Sequence, residues 1–324
     1  MDSDIKTAEI VIVGAGPSGL ACAIAAKEAG LSHFILDKGA VADAIRRFPT
    51  NLTFFSTSEL LEIGNIPFMA SGFRPTRIEV VRYYQRVAYE YGLTIVYNAS
   101  VASIQKIGDT FEVITGSGET YRTPNVIFAT GYFDTPNPFN VAGADLPKVF
   151  RYYDEPFKFY GQRVAVVGGK NSAIEIALDL FRNGADVTLI HRGKTFSEGV
   201  KYWILPDIEN RIKSGEIKGF FETTVREIKP ASIVLEGAHK GEFPNDVVFA
   251  MIGYRPDTTL LERAGVRIDP ESLAPFHNPD TMESNVKGLY VAGSIAAGKF
   301  NNRIFIENGR THGSKIVNHI AGKD

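Results

Sequence analysis

The stretch IVIVGAGPSGL at residues 10–20 decides the fold of this chain. Four β-branched residues lead into a turn that carries Gly14, Gly16 and Gly19, and an alanine-rich apolar segment follows the turn. The next apolar run ends in Asp37, 23 residues after the first glycine. A strand, a glycine turn, a helix and a strand that ends in an acid form the pattern of a dinucleotide-binding β-α-β unit.

A second copy of the pattern begins 154 residues later, in VAVVGGKNSA at residues 164–173. Its first glycine, Gly168, again lies 23 residues before the polar end of the next apolar run, which reads His191-Arg192. The repeat predicts an α/β fold with two Rossmann-type domains. Lys170 replaces the middle glycine of the motif, so its side chain either points outward or contacts phosphate itself.

The two copies differ at the strand end that selects the nucleotide. The carboxylate of Asp37 would accept hydrogen bonds from free ribose hydroxyls and repel a 2′-phosphate, so the first unit suits FAD or NAD. The guanidinium of Arg192 can fork onto a phosphate, and His191 can donate to it, so the second unit suits NADPH. This combination is what a flavoprotein that is reduced by a pyridine nucleotide needs.

The composition excludes several classes of protein. A chain of 324 residues exceeds one ordinary core and fits two domains. With 44% hydrophobic residues and a net charge of −2, it is typical of a soluble globular protein without a basic face for nucleic acid. No apolar run is long enough to cross a bilayer, and the acidic start at residues 1–4 is unlike a signal peptide. We therefore expect a cytoplasmic protein.

Cys22 is the single cysteine, which excludes a disulfide, a cysteine-based metal site and an internal redox-active pair. It lies among small apolar residues in the first predicted helix, and we expect a packed core thiol and not a nucleophile. The six histidines lack the H-x-x-x-H spacing of a metal site, and no nucleophile elbow supports a Ser-His-Asp triad. No metal is expected.

The rest of the chain predicts a domain inserted into another. Residues 51–58 are rich in hydroxyls and aromatic rings, and residues 76–79 have the capping-box pattern of a helix start. The further strands predicted after the first unit are 103–107, 110–115, 126–128, 246–253 and 287–294. We expect a discontinuous FAD-binding domain, residues 1–131 and 254–324, that surrounds an NADPH-binding domain, residues 132–253.

The paired units and two strand ends, residues 129–131 and 291–293, resemble the two-domain, FAD-dependent reductases of the thioredoxin reductase type. The resemblance covers essentially the whole chain. In that family an aspartate usually stands at the position of Ser294 and bonds the ribityl or pyrophosphate region of the flavin. The family's Cys-x-x-Cys pair falls on residues 151–154, which read Arg-Tyr-Tyr-Asp here. A direct dithiol relay to thioredoxin is therefore excluded.

Among members that lack the cysteine pair, the chain resembles the bacillithiol-disulfide reductase family. The strings that carry this resemblance are residues 53–59, 61–64, 129–132, 168–173 and 304–310. That family also tends to lack the acid at the position of Ser294. Members from bacillithiol-making Gram-positive bacteria typically have a cysteine in the first glycine loop, where this chain has Ser18.

The motifs and the resemblance together give two sets of candidate cofactor residues. The FAD set is Gly14, Gly16, Pro17, Ser18, Gly19, Asp37, Lys38, Asn51, Thr53, Ser56, Ala129, Thr130, Gly131, Gly293, Ser294 and Ile304. The NADPH set is Gly168, Gly169, Lys170, Asn171, Ser172, Glu175, His191, Arg192 and Gly253. We expect Ser18 to cap the first helix or to bond the pyrophosphate. Glu307 and Arg310 either accompany the helix end that the family directs at the flavin or cap a surface helix.

The resemblance implies a homodimeric enzyme that passes a hydride from NADPH to FAD and then reduces a low-molecular-weight disulfide such as bacillithiol disulfide. A serine hydroxyl cannot form the mixed disulfide that thiol exchange requires. With Ser18 in the loop, the reduced flavin must attack the disulfide directly, or a partner protein must supply the thiol. No catalytic side chain is assigned.

Three alternatives stay open. A ferredoxin or flavodoxin NADP reductase shares this scaffold, lacks the cysteine pair and would deliver single electrons to a protein carrier. A flavin monooxygenase is suggested by residues 128–132, but the F-x-G-x-x-x-H signature usual in that class is absent. Outside the enzymes, the chain could be a flavin-binding redox sensor that responds to NADPH.

Overall fold

A computed structural model describes residues 5–300 and 303–322. Its internal packing forms two compact units. Unit 1 takes in the described part of Met1–Arg47, Ser56–Thr135 and Tyr254–Asp324, and unit 2 takes in Phe48–Phe55 and Pro136–Gly253. This division differs from the expected boundaries because residues 48–55, placed in the FAD-binding domain from the sequence, pack with unit 2. The acidic start at residues 1–4 lies outside the described residues.

The strands and helices follow in chain order. The strands are β1 (Lys6–Thr7), β2 (Ile10–Val13), β3 (His33–Leu36), β4 (Ile95–Val96), β5 (Val101–Ile107), β6 (Thr110–Thr115), β7 (Thr120–Thr123), β8 (Asn125–Phe128), β9 (Thr135–Pro136), β10 (Val149–Phe150), β11 (Arg163–Val167), β12 (Asp186–Ile190), β13 (Lys218–Phe220), β14 (Thr223–Lys229), β15 (Ser232–Gly237), β16 (Gly241–Pro244), β17 (Val247–Ala250), β18 (Tyr254–Arg255) and β19 (Leu289–Val291). The α-helices are α1 (Pro17–Glu28), α2 (Asp43–Arg46), α3 (Ser58–Leu61), α4 (Arg77–Glu90), α5 (Asn171–Arg182), α6 (Leu205–Lys213), α7 (Thr259–Arg263), α8 (Ile306–Gly309) and α9 (His312–Ile320).

Unit 1 is built on a five-stranded parallel sheet in the order β19-β8-β2-β3-β4. All four residues of β2 are buried, as expected for β-branched residues in a strand that is covered on both faces. The register aligns Val13 with Leu36 and Phe128, and Phe128 with Val291. The segments that follow these strands therefore meet at one edge of the sheet, where open α/β sheets bind ligands.

Helix α1 crosses the sheet face and is buried along most of its length, and α9 packs on it through Gly313. A Cβ atom at Gly313 would lie 2.6 Å from the carbonyl oxygen of Ala21, so only glycine permits this close approach. Cys22 is fully buried in α1, and burial raises the pKa of its thiol to about 12. The predicted core thiol is confirmed.

A second sheet in unit 1 has the order β1-β7-β6-β5, in which β5, β6 and β7 form an antiparallel meander. Helix α4 begins with the predicted capping box. The Thr76 hydroxyl accepts a hydrogen bond from the Glu79 amide, and the Glu79 carboxylate accepts one from the Thr76 amide at 2.8 Å.

Unit 2 repeats the architecture with a parallel sheet in the order β10-β17-β11-β12-β13 and a three-stranded antiparallel sheet, β14-β15-β16. Strand β11 pairs in parallel with β12 and β17, so the segments after Val167, Ile190 and Ala250 meet at one edge. The predicted repeat of the β-α-β unit is thus confirmed. No α-helix in the described part of the chain is long and apolar enough to cross a membrane.

Candidate functional site

The glycine turn of unit 1 is shaped by contacts with the neighbouring strand end. Gly14 has a left-handed φ of 109°, and a Cβ atom there would lie 2.6 Å from the Ala129 carbonyl oxygen. A Cβ atom at Gly19 would lie 1.9 Å from the Gly14 carbonyl oxygen. A Cβ atom at Gly16 would meet nothing within 4 Å. Gly16 therefore leaves open space beside the start of α1.

The N-terminus of α1 is available to an anion. Gly16 is its N-cap residue, no side chain caps the helix, Pro17 occupies the first turn, and that turn contains no acid. The amide groups of a helix start bind phosphate through their hydrogen bonds and their positive partial charge. The open turn at Gly16 and these amides fit a dinucleotide pyrophosphate.

Asp37 stands at the end of β3, where its carboxylate is held by two backbone amides. Ala15 donates to Oδ2 at 2.6 Å, and Gly39 donates to Oδ1 at 2.7 Å. Burial raises the pKa of Asp37, and the two amides oppose that rise. Each carboxylate oxygen keeps a further lone pair, so the fixed group can accept hydrogen bonds from ribose hydroxyls.

Ser18, the second residue of α1, faces a cluster of small residues. A Cβ atom at Gly293 would lie 2.4 Å from the Ser18 Oγ, and one at Gly309 would lie 3.1 Å from it. The Cγ2 atom of Ile304 lies 3.4 Å from the same built Cβ position at Gly309. The hydroxyl at the position of the family's loop cysteine thus lies against the turn after β19 and against α8.

The turns after β8 and β19 complete this edge of unit 1. Gly131 has a left-handed φ of 70°, and a Cβ atom there would lie 3.7 Å from the Ser294 Oγ. The Ser294 hydroxyl makes no hydrogen bond within residues 5–300 and 303–322. Thr130 is exposed beside them. These side chains are positioned to bond a ligand laid across the strand ends.

His312 belongs to this edge but was not found from the sequence. Its buried ring accepts a hydrogen bond at Nδ1 from the Gly293 amide, with the two nitrogens 3.1 Å apart. Burial lowers the pKa of His312 to about 4, and the charges of Lys315 and His277 contribute further. No sequence motif contains this histidine, and only its nearness to Gly309 in the last shared string could have drawn attention to it.

Glu307 and Arg310 connect α8 to α3. The Glu307 carboxylate accepts a hydrogen bond from the Ser56 hydroxyl. Arg310 donates to the carbonyl oxygens of Glu59 at 3.0 Å and Glu62 at 2.5 Å. Both side chains are therefore engaged in holding the two short helices together, and they place Ser56 next to α8.

Three FAD candidates make other contacts. Lys38 is half-exposed and pairs with Asp134 at 2.7 Å. Asn51 and Thr53 belong to unit 2, where the Asn51 amide donates to Asp179 Oδ1 at 3.1 Å and the Thr53 carbonyl accepts from Lys201 at 2.9 Å. The other members of the FAD set lie on the segments that follow β2, β3, β8 and β19, or beside α8.

In unit 2, the imidazole ring of His191 packs on the glycine turn at Gly168-Gly169. A Cβ atom at Gly169 would lie 2.2 Å from His191 Cε1, so the ring packs directly on the turn. His191 Nε2 lies 3.1 Å from the Thr195 carbonyl oxygen, and burial lowers the pKa of His191. From the sequence we predict that this residue donates a hydrogen bond to a 2′-phosphate. In the structure its Nε2 is directed at Thr195 and its ring packs on the turn, and the bond to phosphate stays a prediction.

Two exposed cations flank the start of α5. Lys170 is its N-cap residue, and Arg192 follows the end of β12 by two residues. Among the described residues, neither makes an ion pair with a carboxylate. The first turn of α5 holds no acid, and the side chain of Ser172 is exposed there. This charge arrangement fits a phosphorylated nucleotide.

The remaining NADPH candidates hold the fold of unit 2. Asn171 Oδ1 accepts from the Lys201 amide at 2.7 Å, and its Nδ2 donates to the Gly199 carbonyl at 3.0 Å. Glu175 pairs with the buried Lys201 at 2.5 Å. Gly253, with a φ of 90°, accepts a hydrogen bond from the Asn137 amide. Gly168 has a φ of 150°, and a Cβ atom there would lie 2.5 Å from the Met251 carbonyl oxygen.

The positions of the absent cysteine pair, residues 151–154, are also structural. Tyr153 donates from its hydroxyl to Asp179 at 2.6 Å, and Asp154 pairs with Lys158 at 2.9 Å. Asp179 also accepts from Asn51, as described above. Tyr153 and Asp154 are thus held by contacts within unit 2, and no residue of 151–154 is a cysteine that could take part in thiol exchange.

The chain has clear relatives. The sequence profile of the family described as pyridine nucleotide-disulphide oxidoreductase matches residues 11–293. Bacilliredoxin reductase Bdr of Bacillus subtilis (strain 168) is 43% identical over 316 residues, which cover 97% of this chain and 98% of that protein. The solved structure of bacillithiol disulfide reductase Bdr (YpdA) from Staphylococcus aureus superimposes with a TM-score of 0.95 at 37% identity, covering 99% of this chain and 100% of that one. The Bacillus cereus structure of the same name gives 0.95 at 39% identity, covering 98% and 100%.

Proposed function

Because this chain belongs to the pyridine nucleotide-disulphide oxidoreductase family, and within it to the Bdr group of disulfide reductases, we propose that it carries electrons from NADPH through FAD to a low-molecular-weight disulfide such as bacillithiol disulfide. The chain is thus a flavin-dependent oxidoreductase. The observation that carries the proposal is the open edge of unit 1, where the free α1 amides and the fixed Asp37 carboxylate fit FAD.

A flavin bound at this edge would accept a hydride from NADPH and, with a proton, return two electrons to the disulfide, which leaves as two thiols. The residues of this chain would bind the flavin and orient it. Gly14 and Gly16 give the pyrophosphate access to the α1 amides, Asp37 accepts from the ribose, and Ser294 offers a hydroxyl to the ribityl region. This assignment gives FAD to unit 1.

We assign NADPH to unit 2 through the second glycine turn. Arg192 is exposed and free of carboxylate partners within the described part of the chain, so its guanidinium can bind the 2′-phosphate in a bidentate manner. Lys170 supplies a second positive charge at the start of α5. His191, neutral and bonded to Thr195, orients the turn.

The chain offers no thiol for the disulfide step. Cys22 is buried with a pKa raised to about 12, so it does not form a thiolate at neutral pH. Ser18 cannot form a mixed disulfide. Electrons therefore pass from the flavin to the substrate directly, or to a thiol that a partner such as a bacilliredoxin brings. We further propose a cytoplasmic homodimer, as the family resemblance implies, and size-exclusion chromatography tests the dimer.

The test is anaerobic stopped-flow spectroscopy of the FAD-loaded protein with NADPH or NADH. The reduced protein is then mixed with bacillithiol disulfide, an oxidised bacilliredoxin, a ferredoxin or flavodoxin, or buffer. We expect bleaching of the flavin band by NADPH, followed by reoxidation with the small disulfide.

Other outcomes separate the alternatives. Reoxidation by a ferredoxin or flavodoxin alone would make the protein a carrier reductase. Flavin reduction without any acceptor would favour a redox sensor. A flavin that NADPH does not reduce would refute the proposed activity.

A further inference from the structure

His312 is the first residue of α9 and is only 9% exposed. It is one of few polar side chains buried in the described part of unit 1, and it belongs to no cofactor motif. Its ring reaches from the last helix to the turn after β19, where Gly293 and Ser294 lie. His312 therefore places a buried imidazole at the edge of the proposed flavin site.

The hydrogen bond to Gly293 fixes the state of the ring. A backbone amide can only donate, so Nδ1 must be unprotonated to accept from it at 3.1 Å. The titratable groups that face the ring are Lys315 on the same helix and His277 on the loop before β19, and both disfavour a positive charge there. His312 therefore stays neutral, with its proton on Nε2.

The Gly293 turn is held from two sides. On one side, its Cα faces the Ser18 hydroxyl so closely that a Cβ atom would lie 2.4 Å from Oγ. On the other side, its amide is bonded to His312. Gly293 has a left-handed φ of 73°, which other residues rarely adopt. The direction of the next residue, Ser294, thus depends on both contacts.

We infer that His312 is a positioning residue for the flavin: its Nδ1 lone pair holds the Gly293 amide so that Ser294 faces the bound cofactor. The inference rests on the proposed function, because it assumes FAD at the edge of unit 1. In the thioredoxin reductase type an acid usually stands at the position of Ser294. Here His312 holds the backbone of this turn through the Gly293 amide, and Ser294 contributes an uncharged hydroxyl.

The test compares H312N with H312Q in the full chain. Both carry the same amide, but only the shorter side chain places its oxygen near the position of Nδ1. A third variant, H319L, removes a histidine from the same helix whose Nδ1 lies 3.0 Å from the Tyr290 hydroxyl, away from the turn. The readouts are the dissociation constant of FAD from the apoprotein, the visible spectrum of the bound flavin and the thermal midpoint.

We expect H312Q to raise the FAD dissociation constant about tenfold and to shift the flavin spectrum, since a buried amide loses its acceptor. H312N should keep the constant within about threefold of wild type, because it restores that acceptor. H319L should lower the thermal midpoint and leave FAD binding and the spectrum unchanged.

Equal FAD binding by H312Q and H312N, or equal weakening in H319L, would overturn the inference and leave the proposed function intact. A wild-type apoprotein that takes up no FAD would overturn the proposed function and this inference together. If H312Q does not fold while H312N does, the acceptor is a requirement of the fold, and a special role toward the flavin is refuted.

Discussion

At the residue scale, we expect the proposed discrimination between NADPH and NADH to depend on one exposed side chain, that of Arg192. We predict that R192A raises the KM for NADPH by roughly 10- to 100-fold, since charge-assisted hydrogen bonds to phosphate are worth about 1.5–3 kcal/mol. The KM for NADH should change by less than about threefold, because NADH has no 2′-phosphate. Steady-state kinetics with both nucleotides measures the difference.

The matched control is K194A, which removes a cation two residues away that lies 3.9 Å from Glu222. K194A should change the KM for NADPH and the KM for NADH only slightly. An equal loss for NADPH and NADH in R192A would mean that the guanidinium supports the fold of the turn and does not read the phosphate.

A second residue-scale prediction concerns the buried ion pair of unit 2. The side chains of Lys201 and Glu175 are 7% and 19% exposed. Replacing one partner leaves the other charge buried without compensation, so we expect K201M to lower the free energy of unfolding by roughly 3 kcal/mol. The double variant K201M/E175Q should recover most of that loss. Urea unfolding followed by circular dichroism measures both.

The control for this pair is K218M, which breaks an exposed ion pair with Asp186 in the same unit and should cost less than about 1 kcal/mol. If K201M and K218M lower the free energy of unfolding equally, water reaches Lys201, and the pair with Glu175 does not stabilise unit 2 as a buried ion pair.

His312 also predicts how stability depends on pH. Its pKa is lowered to about 4 in the folded protein, while a free histidine titrates near 6.5. As the pH falls from about 6.5 to about 4, the unfolded chain takes up a proton that the folded chain does not. Stability is therefore lost on acidification, by on the order of 3 kcal/mol.

Unfolding of wild type and H312N at several pH values isolates this effect, because all other groups are shared. We expect the stability advantage of the wild type to shrink across that window. A difference that stays constant with pH would show that His312 titrates alike in both states.

At the scale of elements, the capping box of α4 stabilises a helix that packs against α1 and α2. We predict that T76A lowers the free energy of unfolding by about 1 kcal/mol, since it removes the oxygen that accepts from the Glu79 amide. A control, T258A, removes a hydroxyl near α7 that caps no backbone amide. Thermal unfolding of both variants is the measurement, and equal midpoints would argue against the cap.

The elements show what the sequence can and cannot predict. The two glycine turns, the strands that precede them and the α4 cap were predicted because each is a short, local pattern. The contacts of His312 with Gly293, of His191 with Gly169, and of residues 48–55 with unit 2 were missed. In each case the contacting residues are far apart in the sequence or meet through the direction of a side chain. Hydrophobic periodicity does not predict contacts of this kind.

At the scale of the whole molecule, unit 2 is not one continuous piece of chain. Residues 48–55 contribute Asn51 and Thr53, which bond Asp179 and Lys201. We predict that a fragment of residues 136–253 melts at least about 5 °C below the same fragment with residues 48–55 fused by a flexible linker, since each lost hydrogen bond to a charged group costs about 1 kcal/mol or more. Equal midpoints would show that the segment adds nothing.

The divided unit also has a consequence during synthesis. Lys201 follows residue 55 by 146 residues. At about 5–20 residues per second, the ribosome needs roughly 7–30 s to reach it. Throughout that interval the Thr53 carbonyl lacks Lys201, which finally donates to it, and the ring of Phe55 lacks Trp203, on which it finally stacks with 5.7 Å between ring centroids. Unit 2 therefore does not fold segment by segment as it is synthesised, because residues 48–55 complete these contacts only after the chain has been extended beyond Lys201.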